Sequence, residues 1–110
     1  MILNLNEDIT SEKLIKAGFK NRSNDKRFYI LREYLYKDTI ALSITIDLNE
    51  EDNDEKVKWH VIDSNTGTTY NTFYFTPNTC KDLVREEVIR SFNEVIGELS
   101  KRKILYIVEE

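Results

Sequence analysis

The feature that most constrains the fold is residues 56–75, in which two runs of strand-forming residues flank a turn. The first run, Val57–Ile62, largely alternates apolar residues with polar ones, and this period of two predicts a half-buried strand. The second run, Thr68–Phe75, is almost entirely β-branched and aromatic, which favours a strand over a helix. Gly67 suits the left-handed position of a three-residue turn between them. With that turn the apolar residues of both strands share one face, so we predict a β-hairpin in this register.

Two further strands and two polar loops are predicted before this hairpin. Phe28–Tyr36 is predicted to be one strand and Ile40–Leu48 the next, with a tight turn at Lys37-Asp38. The second of these strands has an apolar residue at every other position, which predicts one buried face. Residues 20–27 are polar and basic, and residues 49–55 are acidic, so both segments are predicted to be loops.

A short helix and a long helix are predicted on either side of the strands. Thr10 is a suitable N-cap for a helix over residues 11–17, and Gly18 suits the left-handed position after its last turn. The long helix is predicted from Cys80 to about Lys101. Apolar residues recur there every three or four positions, so that one face of the helix is buried.

The two ends of the chain leave alternatives open. Residues 104–108 form either a fifth short strand or a continuation of the long helix, and we favour the strand because the segment is β-branched and aromatic. Residues 1–9 either dock on the body of the protein or form a short edge strand. Sequential antiparallel strands need only short connections. We therefore predict one α+β domain over residues 1–110, a four-stranded antiparallel meander with the short N-terminal helix and the long C-terminal helix packed on one face.

Size and composition limit the class of protein. The chain has 110 residues, 40% hydrophobic and 33% charged, which is typical of one globular domain with its own core. No apolar run is long enough to span a membrane, and the N-terminus lacks the pattern of a signal peptide. The single cysteine excludes an internal disulfide. We therefore expect a cytoplasmic protein.

Residue types with catalytic or metal-binding chemistry are few. His60 is the only histidine, and we interpret it as a solvent-facing strand residue. Cys80, at a helix N-terminus, has the setting of a modestly reactive thiol, but the simpler interpretation is an ordinary small residue. The acidic segment 47–55 lacks the glycine of the helix-loop-helix calcium pattern, because Asp52 occupies that position, so we interpret it as a solvated loop. We predict that the protein is not an enzyme and requires no cofactor or metal.

The basic loop offers a nucleic-acid hypothesis. It carries four cations near aromatic residues, a pattern that can bind single-stranded DNA or RNA: Lys20, Arg22, Lys26 and Arg27. Four charges are few, however, and no recognised nucleic-acid motif accompanies them. The net charge of −4 also argues against phosphate as the main ligand. Nucleic acid therefore ranks behind a protein partner.

The outer face of the predicted hairpin is the main candidate site. In the predicted register, five residues lie together there: His60, Ile62, Tyr70, Thr72 and Tyr74. The first strand adds one of two pairs, Tyr29 with Leu31 or Tyr34 with Tyr36. Tyrosine-rich patches are typical of contact surfaces, so this face would bind a protein partner or a second copy of the chain as a homodimer. The alternative is that the N-terminal helix covers this face.

The segment TSEKLIKAGF, followed by a polar loop and an aromatic strand, resembles small orphan proteins carried on phages, prophages and other mobile elements of AT-rich bacteria. The resemblance covers about residues 10–31, and the richness in Lys, Asn and Ile has the same character. It implies a small α+β accessory protein that acts as an inhibitor, adaptor or regulator through protein contacts, and it assigns no functional residue. The resulting hypothesis is a non-enzymatic interaction or regulatory protein.

Overall fold

The structure, a computed structural model, describes residues 2–22, 27–65 and 82–108. In chain order its elements are β1 (Ile2–Leu5), α1 (Ser11–Lys16), β2 (Lys20–Asn21), β3 (Phe28–Tyr36), β4 (Ile40–Asp47), α2 (Asn53–Lys56), β5 (Val57–Asp63), α3 (Asp82–Lys101) and β6 (Leu105–Val108). Strands β2 to β5 form a four-stranded antiparallel sheet in sequence order, and β1 and β6 form a separate antiparallel pair. The predicted α+β class and four-stranded meander are confirmed.

The described sheet includes one strand, β2, that the sequence does not predict. The segment 20–27, predicted to be a loop, begins with a strand, because Lys20 and Asn21 pair with Ile30 and Tyr29 of β3. The prediction is wrong for these two residues, since pairing of two residues at a sheet edge depends on the backbone and needs no apolar pattern. The predicted strand over residues 68–75 lies outside the described residues.

The strand register separates two faces of the sheet. Ile44 of β4 lies opposite Leu31 of β3 on one side and opposite Trp59 of β5 on the other. Directly opposed residues point to the same face, so these three residues mark an inner face. The residues that alternate with them along β4 define the outer face: Ala41, Ser43, Thr45 and Asp47. The alternation predicted for β4 and β5 is confirmed.

Helix α3 covers the inner face. The hydrophobic core joins inner-face residues of the three long strands to four residues that recur every three or four positions along the helix, Val88, Phe92, Ile96 and Leu99. The rings of Trp59 and Phe92 have centroids 5.1 Å apart, which places the helix against β5 as well. Neither α3 nor any other helix in the described part of the chain is long and apolar enough to cross a membrane.

Helix α1 is defined by hydrogen bonds at both of its ends. The Thr10 hydroxyl oxygen accepts a hydrogen bond from the backbone N–H three residues later, at 3.3 Å, which is the predicted N-cap. Gly18 has φ +103°, and its N–H donates to the carbonyl of Ile15 while the N–H of Phe19 donates to the carbonyl of Leu14. This pair of bonds is a Schellman motif. Both Phe19 and Leu14 are buried in the core, so the motif ends the helix and anchors it to the sheet.

The two ends of the chain pair with each other. Ile2–Leu5 adopts the strand alternative and pairs with β6, so the predicted strand within residues 104–108 is confirmed. Leu5 and Leu105, which lie opposite each other, are both buried in the core and attach this pair to the body. In the acidic segment predicted to be a loop, the last residues form the single turn α2, in which the N–H of Glu55 donates to the carbonyl of Asp52 at 3.0 Å. Glu and Lys are good helix formers, so one turn there conflicts with no local preference.

Gly97 lies within α3 without any packing role. A Cβ atom placed on Gly97 would have no neighbouring heavy atom within 4 Å. The glycine therefore does not serve a close approach of the helix to the sheet. Gly97 weakens the helix by about 1 kcal/mol relative to alanine, and no packing contact in the described structure requires a glycine there.

Candidate interaction surface

The outer face of the sheet lies opposite α3. Across the strands its residues form three rows, which are Lys20–Ile30–Thr45–Lys58, Arg32–Ser43–His60 and Tyr34–Ala41–Ile62. Apart from the fully buried Ala41, none of these residues belongs to the hydrophobic core. We call the residues of the second and third rows the outer patch.

The exposed side chains of the outer patch lie on its two flanking strands. On β3, Tyr34 is 54% exposed, and Arg32 beside it is also exposed. On β5, His60 is exposed and Ile62 is half-buried. The two residues that β4 contributes are small and buried. Larger side chains therefore stand on either side of a low centre, across two strand spacings of about 4.8 Å each.

The structure places two of the five predicted partner-binding residues. His60 and Ile62 lie on the outer face of β5, as the alternation predicts. Tyr70, Thr72 and Tyr74 lie outside the described residues, so their position beside β5 stays a prediction.

The choice that the sequence left open on β3 is resolved. Tyr29 and Leu31 lie on the inner face and are buried, whereas Tyr34 lies on the outer face. Tyr36 does not join Tyr34, because the register shifts between these two residues. Tyr36 instead lies opposite Ile40 and packs against the core. Only one of the four candidate residues of β3 therefore belongs to the outer patch.

Helix α1 does not cover the outer patch. Its buried residue Leu14 belongs to the core that the inner-face residues form. Gly18, which follows the helix, lies close to the inner-face residue Leu31, since a Cβ atom on Gly18 would be 3.4 Å from Leu31 Cδ1. Helix α1 thus packs on the inner side of the sheet.

A group of cations lies beside the outer patch, at the β2 edge of the sheet. Lys20, Arg22 and Arg32 line a single cavity of about 330 Å³ together with Gly18 and Ile30. The ion pairs found in the described ranges involve none of these three cations. We call the three residues the cation cluster. Lys20 and Arg22 were predicted from the sequence as nucleic-acid contacts, whereas Arg32 was not.

Arg27 has a structural partner and does not belong to the cation cluster. Its Nε and Nη2 donate to the two carboxylate oxygens of Asp47 at 3.1 and 3.2 Å, and its guanidinium lies 4.6 Å from the centre of the Phe28 ring. The hydrogen bonds from Arg27, with a further one from the Asn49 N–H, lower the pKa of Asp47 below its ordinary value. Arg27 thus joins the start of β3 to the end of β4. Lys26 lies outside the described residues.

The outer face is basic although the chain as a whole is acidic. Asp47 is the one carboxylate that the described strands place on this face, and Arg27 neutralises it. Lys20, Arg32 and Lys58 lie on the same face, and of these three Lys58 is paired with Glu55 at 3.3 Å. The net charge of the chain is −4. The acidic residues are therefore concentrated elsewhere, and this face suits an anionic partner.

A second cavity, of about 310 Å³, lies between α3 and β3 on the other side of the molecule. Its apolar lining includes Leu31 and Leu99, and its rim carries Glu33, Glu94 and Glu98. The last two carboxylates are already paired, Glu94 with Arg90 of the same helix and Glu98 with Arg102 just after the helix. Because these ion pairs satisfy most of its charge, this groove is a weaker candidate than the outer face.

No metal site is found among the residues that the structure describes. Within ranges 2–22, 27–65 and 82–108, no three His, Cys, Asp or Glu side chains are grouped so that they could hold an ion. Cys80 lies outside these ranges, so its reactivity stays open.

Comparison with known proteins finds a similar fold but gives no information on function. No protein-family model and no curated protein matches this sequence. The fold is similar to that of a DUF1831 family protein from Lactobacillus plantarum, whose crystal structure matches with a TM-score of 0.66. The match covers 94% of this chain and 84% of that chain, at 15% sequence identity. At this identity the likeness concerns the fold alone, and the resemblance to mobile-element proteins stays a prediction.

Proposed function

We propose that this chain is a non-catalytic accessory protein that acts by binding another protein through the outer patch. The observation that carries the proposal is the set of exposed aromatic and cationic side chains on a sheet face that α1 and α3 leave open. The set includes Tyr34 and Arg32. Tyrosine and arginine are enriched at protein interfaces and among the residues that contribute most of the binding energy.

The sheet holds these side chains in place before a partner arrives. β3 pairs with β4 at both Arg32 and Tyr34, so the sheet fixes the backbone beneath these two side chains on that side. Tyrosine has only two side-chain torsions to fix, and a preformed surface lowers the entropy cost of binding. Truncation of such a residue at the centre of an interface commonly costs about 2 kcal/mol or more, which corresponds to about a 30-fold loss of affinity.

Charge indicates the chemistry of the partner. The outer face carries Lys20 and Arg32, which are in none of the described ion pairs, and its described carboxylate Asp47 is neutralised by Arg27. A partner surface with Asp or Glu residues around an apolar centre would complement it. Association should therefore become slower as salt is added.

The proposal includes a cytoplasmic location. The support is the single cysteine, which cannot form an internal disulfide. Small exported domains commonly depend on such bonds, whereas cytosolic ones do not.

The test compares Tyr34→Ala with Ile15→Ala. Tyr34 is 54% exposed on the outer patch, and Ile15 is 51% exposed on α1, so both changes remove an exposed apolar group. The native chain and both variants are used to recover partners from the native host, and the affinity for the recovered protein is then measured with purified components. We expect the native chain and Ile15→Ala to bind alike and Tyr34→Ala to bind about 30-fold more weakly. Equal binding by all three, with circular dichroism showing intact folds, would refute the proposal.

The cation cluster supports a second candidate function, the binding of single-stranded nucleic acid. Lys20, Arg22 and Arg32 converge on one cavity, and the described part of the chain supplies no carboxylate to pair with them. Phe28 and Tyr34 lie on the same face of β3 as Arg32. Cations that track a phosphate backbone, next to aromatic rings that stack on bases, are the usual elements of such a site.

This second function is tested with Arg32→Gln and Arg102→Gln. Both variants lose one positive charge, but Arg102 is already paired with Glu98 at 3.2 Å. Binding of a labelled single-stranded oligonucleotide is followed by fluorescence anisotropy over a range of salt concentrations. If the candidate is right, Arg32→Gln lowers the slope of log affinity against log salt by about 0.7, the value for one lost contact to a single strand, and Arg102→Gln does not. Absence of binding by the native chain at low salt would eliminate it.

A further inference from the structure

The cavity that the cation cluster lines is built by the pairing of β2 with β3. Lys20 lies opposite Ile30 in this pair. The N–H of Arg22 donates to the carbonyl of Phe28 at 2.9 Å, so the antiparallel pairing continues one residue beyond β2. Because side chains alternate along a strand, Lys20 and Arg22 both lie on the outer face, which Arg32 of β3 shares. Strand pairing therefore holds the three cations on one face.

The described side chains of this cavity supply hydrogen-bond donors and positive charge but no acceptor. Its lining consists of the cation cluster with Gly18 and Ile30, around a volume of about 330 Å³. Glycine has no side chain and isoleucine has no polar side-chain atom. Lysine and arginine side chains donate several hydrogen bonds each and accept none. The ligand that suits such a cavity is an anion with several oxygen acceptors.

The cation cluster differs from Arg27 and Lys58, which also lie at the outer face but are already paired. Arg27 Nε lies 3.1 Å from a carboxylate oxygen of Asp47, and Lys58 Nζ lies 3.3 Å from one of Glu55. The ion pairs within ranges 2–22, 27–65 and 82–108 involve no member of the cluster. Like charges around one cavity repel each other, and an anion placed between them replaces that repulsion with attraction.

A phosphomonoester fits these cations better than a carboxylate does. It carries a charge of about −1.5 to −2 at pH 7 and three strong acceptor oxygens, so that one group can accept hydrogen bonds from all three cations. Arginine binds phosphate through two parallel N–H donors, and lysine adds a compact point charge. Arginine clusters are the usual means by which binding domains recognise phosphorylated segments.

We propose that the cation cluster binds the phosphoryl group of a phosphorylated side chain in the partner protein. Arg32 belongs both to the cluster and to the outer patch, and Tyr34 follows it on the same face, about 7 Å further along β3. A partner segment whose phosphoryl group lies in the cavity therefore reaches the outer patch with its neighbouring residues. This inference rests on the proposed function, since it names the chemical group that the partner presents.

Single-stranded nucleic acid, the other candidate ligand of these cations, suits their arrangement less well. Each phosphodiester carries a single charge, and proteins that bind single strands follow the successive phosphates with a positively charged groove. The cluster instead converges on one cavity. Beyond Arg32, the next row of the outer patch is Tyr34, Ala41 and Ile62, which carry no charge. The described surface thus forms one compact anion site.

The first test is an NMR titration of the isotope-labelled full chain with defined phosphate compounds. The probes are N-acetylphosphoserine amide, its unphosphorylated form, a thymidine dinucleotide with one phosphodiester, and inorganic phosphate. We expect the phosphoserine derivative to shift amide signals of β2 and β3 and to bind about 10-fold more tightly than the dinucleotide, the effect of one charge-assisted hydrogen bond. The unphosphorylated form should not bind. Equal binding of the dinucleotide, binding of inorganic phosphate alone, or no binding of the phosphoserine derivative would overturn the proposal.

Matched variants locate the site. Arg22→Gln and Arg32→Gln each remove one cation from the cavity, and both residues are exposed, so circular dichroism should show intact folds. Each should weaken binding of the phosphoserine derivative by about 10-fold. Arg102→Gln removes the same charge from a residue that is paired with Glu98 at 3.2 Å, and it should leave the affinity unchanged. Equal losses in all three variants would mean that only total charge matters and would overturn the proposal.

The last test compares the affinity for the purified partner protein before and after treatment of that partner with a phosphatase. We expect the treatment to weaken binding by about 10-fold or more. If Tyr34→Ala weakens binding and the phosphatase does not, this inference fails and the proposed function stands. If the phosphatase weakens binding and Tyr34→Ala does not, the phosphoryl site stands and the outer patch is refuted as the binding surface.

Discussion

Two glycines with different backbone conformations should respond to the same substitution with opposite signs. Gly97 lies in the interior of α3 at an exposed position, and a Cβ atom there would meet no heavy atom within 4 Å. Gly18 follows α1 with φ +103°, and a Cβ atom there would lie 3.4 Å from Leu31 Cδ1. Gly97→Ala should therefore stabilise the protein, whereas Gly18→Ala should destabilise it.

The magnitudes follow from backbone preference. In an exposed helix interior, alanine is favoured over glycine by about 0.8 to 1 kcal/mol, and nothing around Gly97 opposes that gain. At Gly18 a left-handed conformation costs an L-residue about 1 to 2 kcal/mol. The contact with Leu31 is ordinary in length and adds little to this cost. The two variants should thus differ by about 2 to 3 kcal/mol in the free energy of unfolding, or about 10 °C in melting temperature for a domain of this size.

The assay is urea unfolding followed by tryptophan fluorescence. Trp59 is the only tryptophan in the chain, and its ring centroid lies 5.1 Å from that of Phe92, so its emission reports on packing of α3 against the sheet. The native chain and both variants should have the same dependence of free energy on urea, which shows that only stability changed. The reasoning is refuted if Gly18→Ala is as stable as the native chain or if Gly97→Ala is less stable.

Three further changes test the core, an ion pair and a helix end. Phe92→Ala should cost about 3 to 5 kcal/mol, because Phe92 is buried against Trp59, and should red-shift the emission of Trp59. The pKa of Asp47 is lowered by Arg27, so the stability that this pair provides is present above about pH 4 and should be lost as the pH falls through that lowered pKa. In Asp47→Asn the free energy of unfolding should depend less on pH in this range, as measured by urea unfolding at a series of pH values. Lys103 has φ 59° at the end of α3, so Lys103→Gly should raise the free energy of unfolding by about 1 kcal/mol in a urea titration.

Local patterns in the sequence predict those elements that depend on interactions between residues close together in the chain. Thr10 and Gly18 bound α1 because a hydroxyl cap and a left-handed glycine act within one turn of the helix. The strict alternation of β4 predicts its two faces because side chains alternate along every strand. The predictions for these elements needed no knowledge of the rest of the fold.

Pairings between distant segments could not be predicted in the same way. β1 and β6 lie at opposite ends of the sequence, and only the backbone and a few buried leucines join them. β2 has two polar residues whose pairing with β3 leaves no apolar signal. The sequence therefore predicted four strands in the sheet but could not identify β2 as one of them.

In the candidate site, too, residues placed by regular alternation were predicted, whereas residues placed by strand pairing were not. His60 and Ile62 were predicted because β5 alternates regularly. The choice between Tyr29 with Leu31 and Tyr34 with Tyr36 was left open because the sequence did not show which face of β3 is buried. The register shift between Tyr34 and Tyr36 changes which face the later residue occupies, and the sequence around it carries no sign of the shift. Arg32 was missed because it joins Lys20 and Arg22 only across the paired strands. The regular alternation of β3 before the shift was the signal that could have found it.

The measurement that tests the central claim most directly is photo-cross-linking from the outer patch in the native host. A photoreactive phenylalanine analogue replaces Tyr34 in one variant and Ile15, on α1, in the control. We predict that position 34 gives a covalent adduct with a different protein and that position 15 does not. No adduct from position 34, or an adduct only with another copy of this chain, would contradict the claim that the outer patch binds a protein partner.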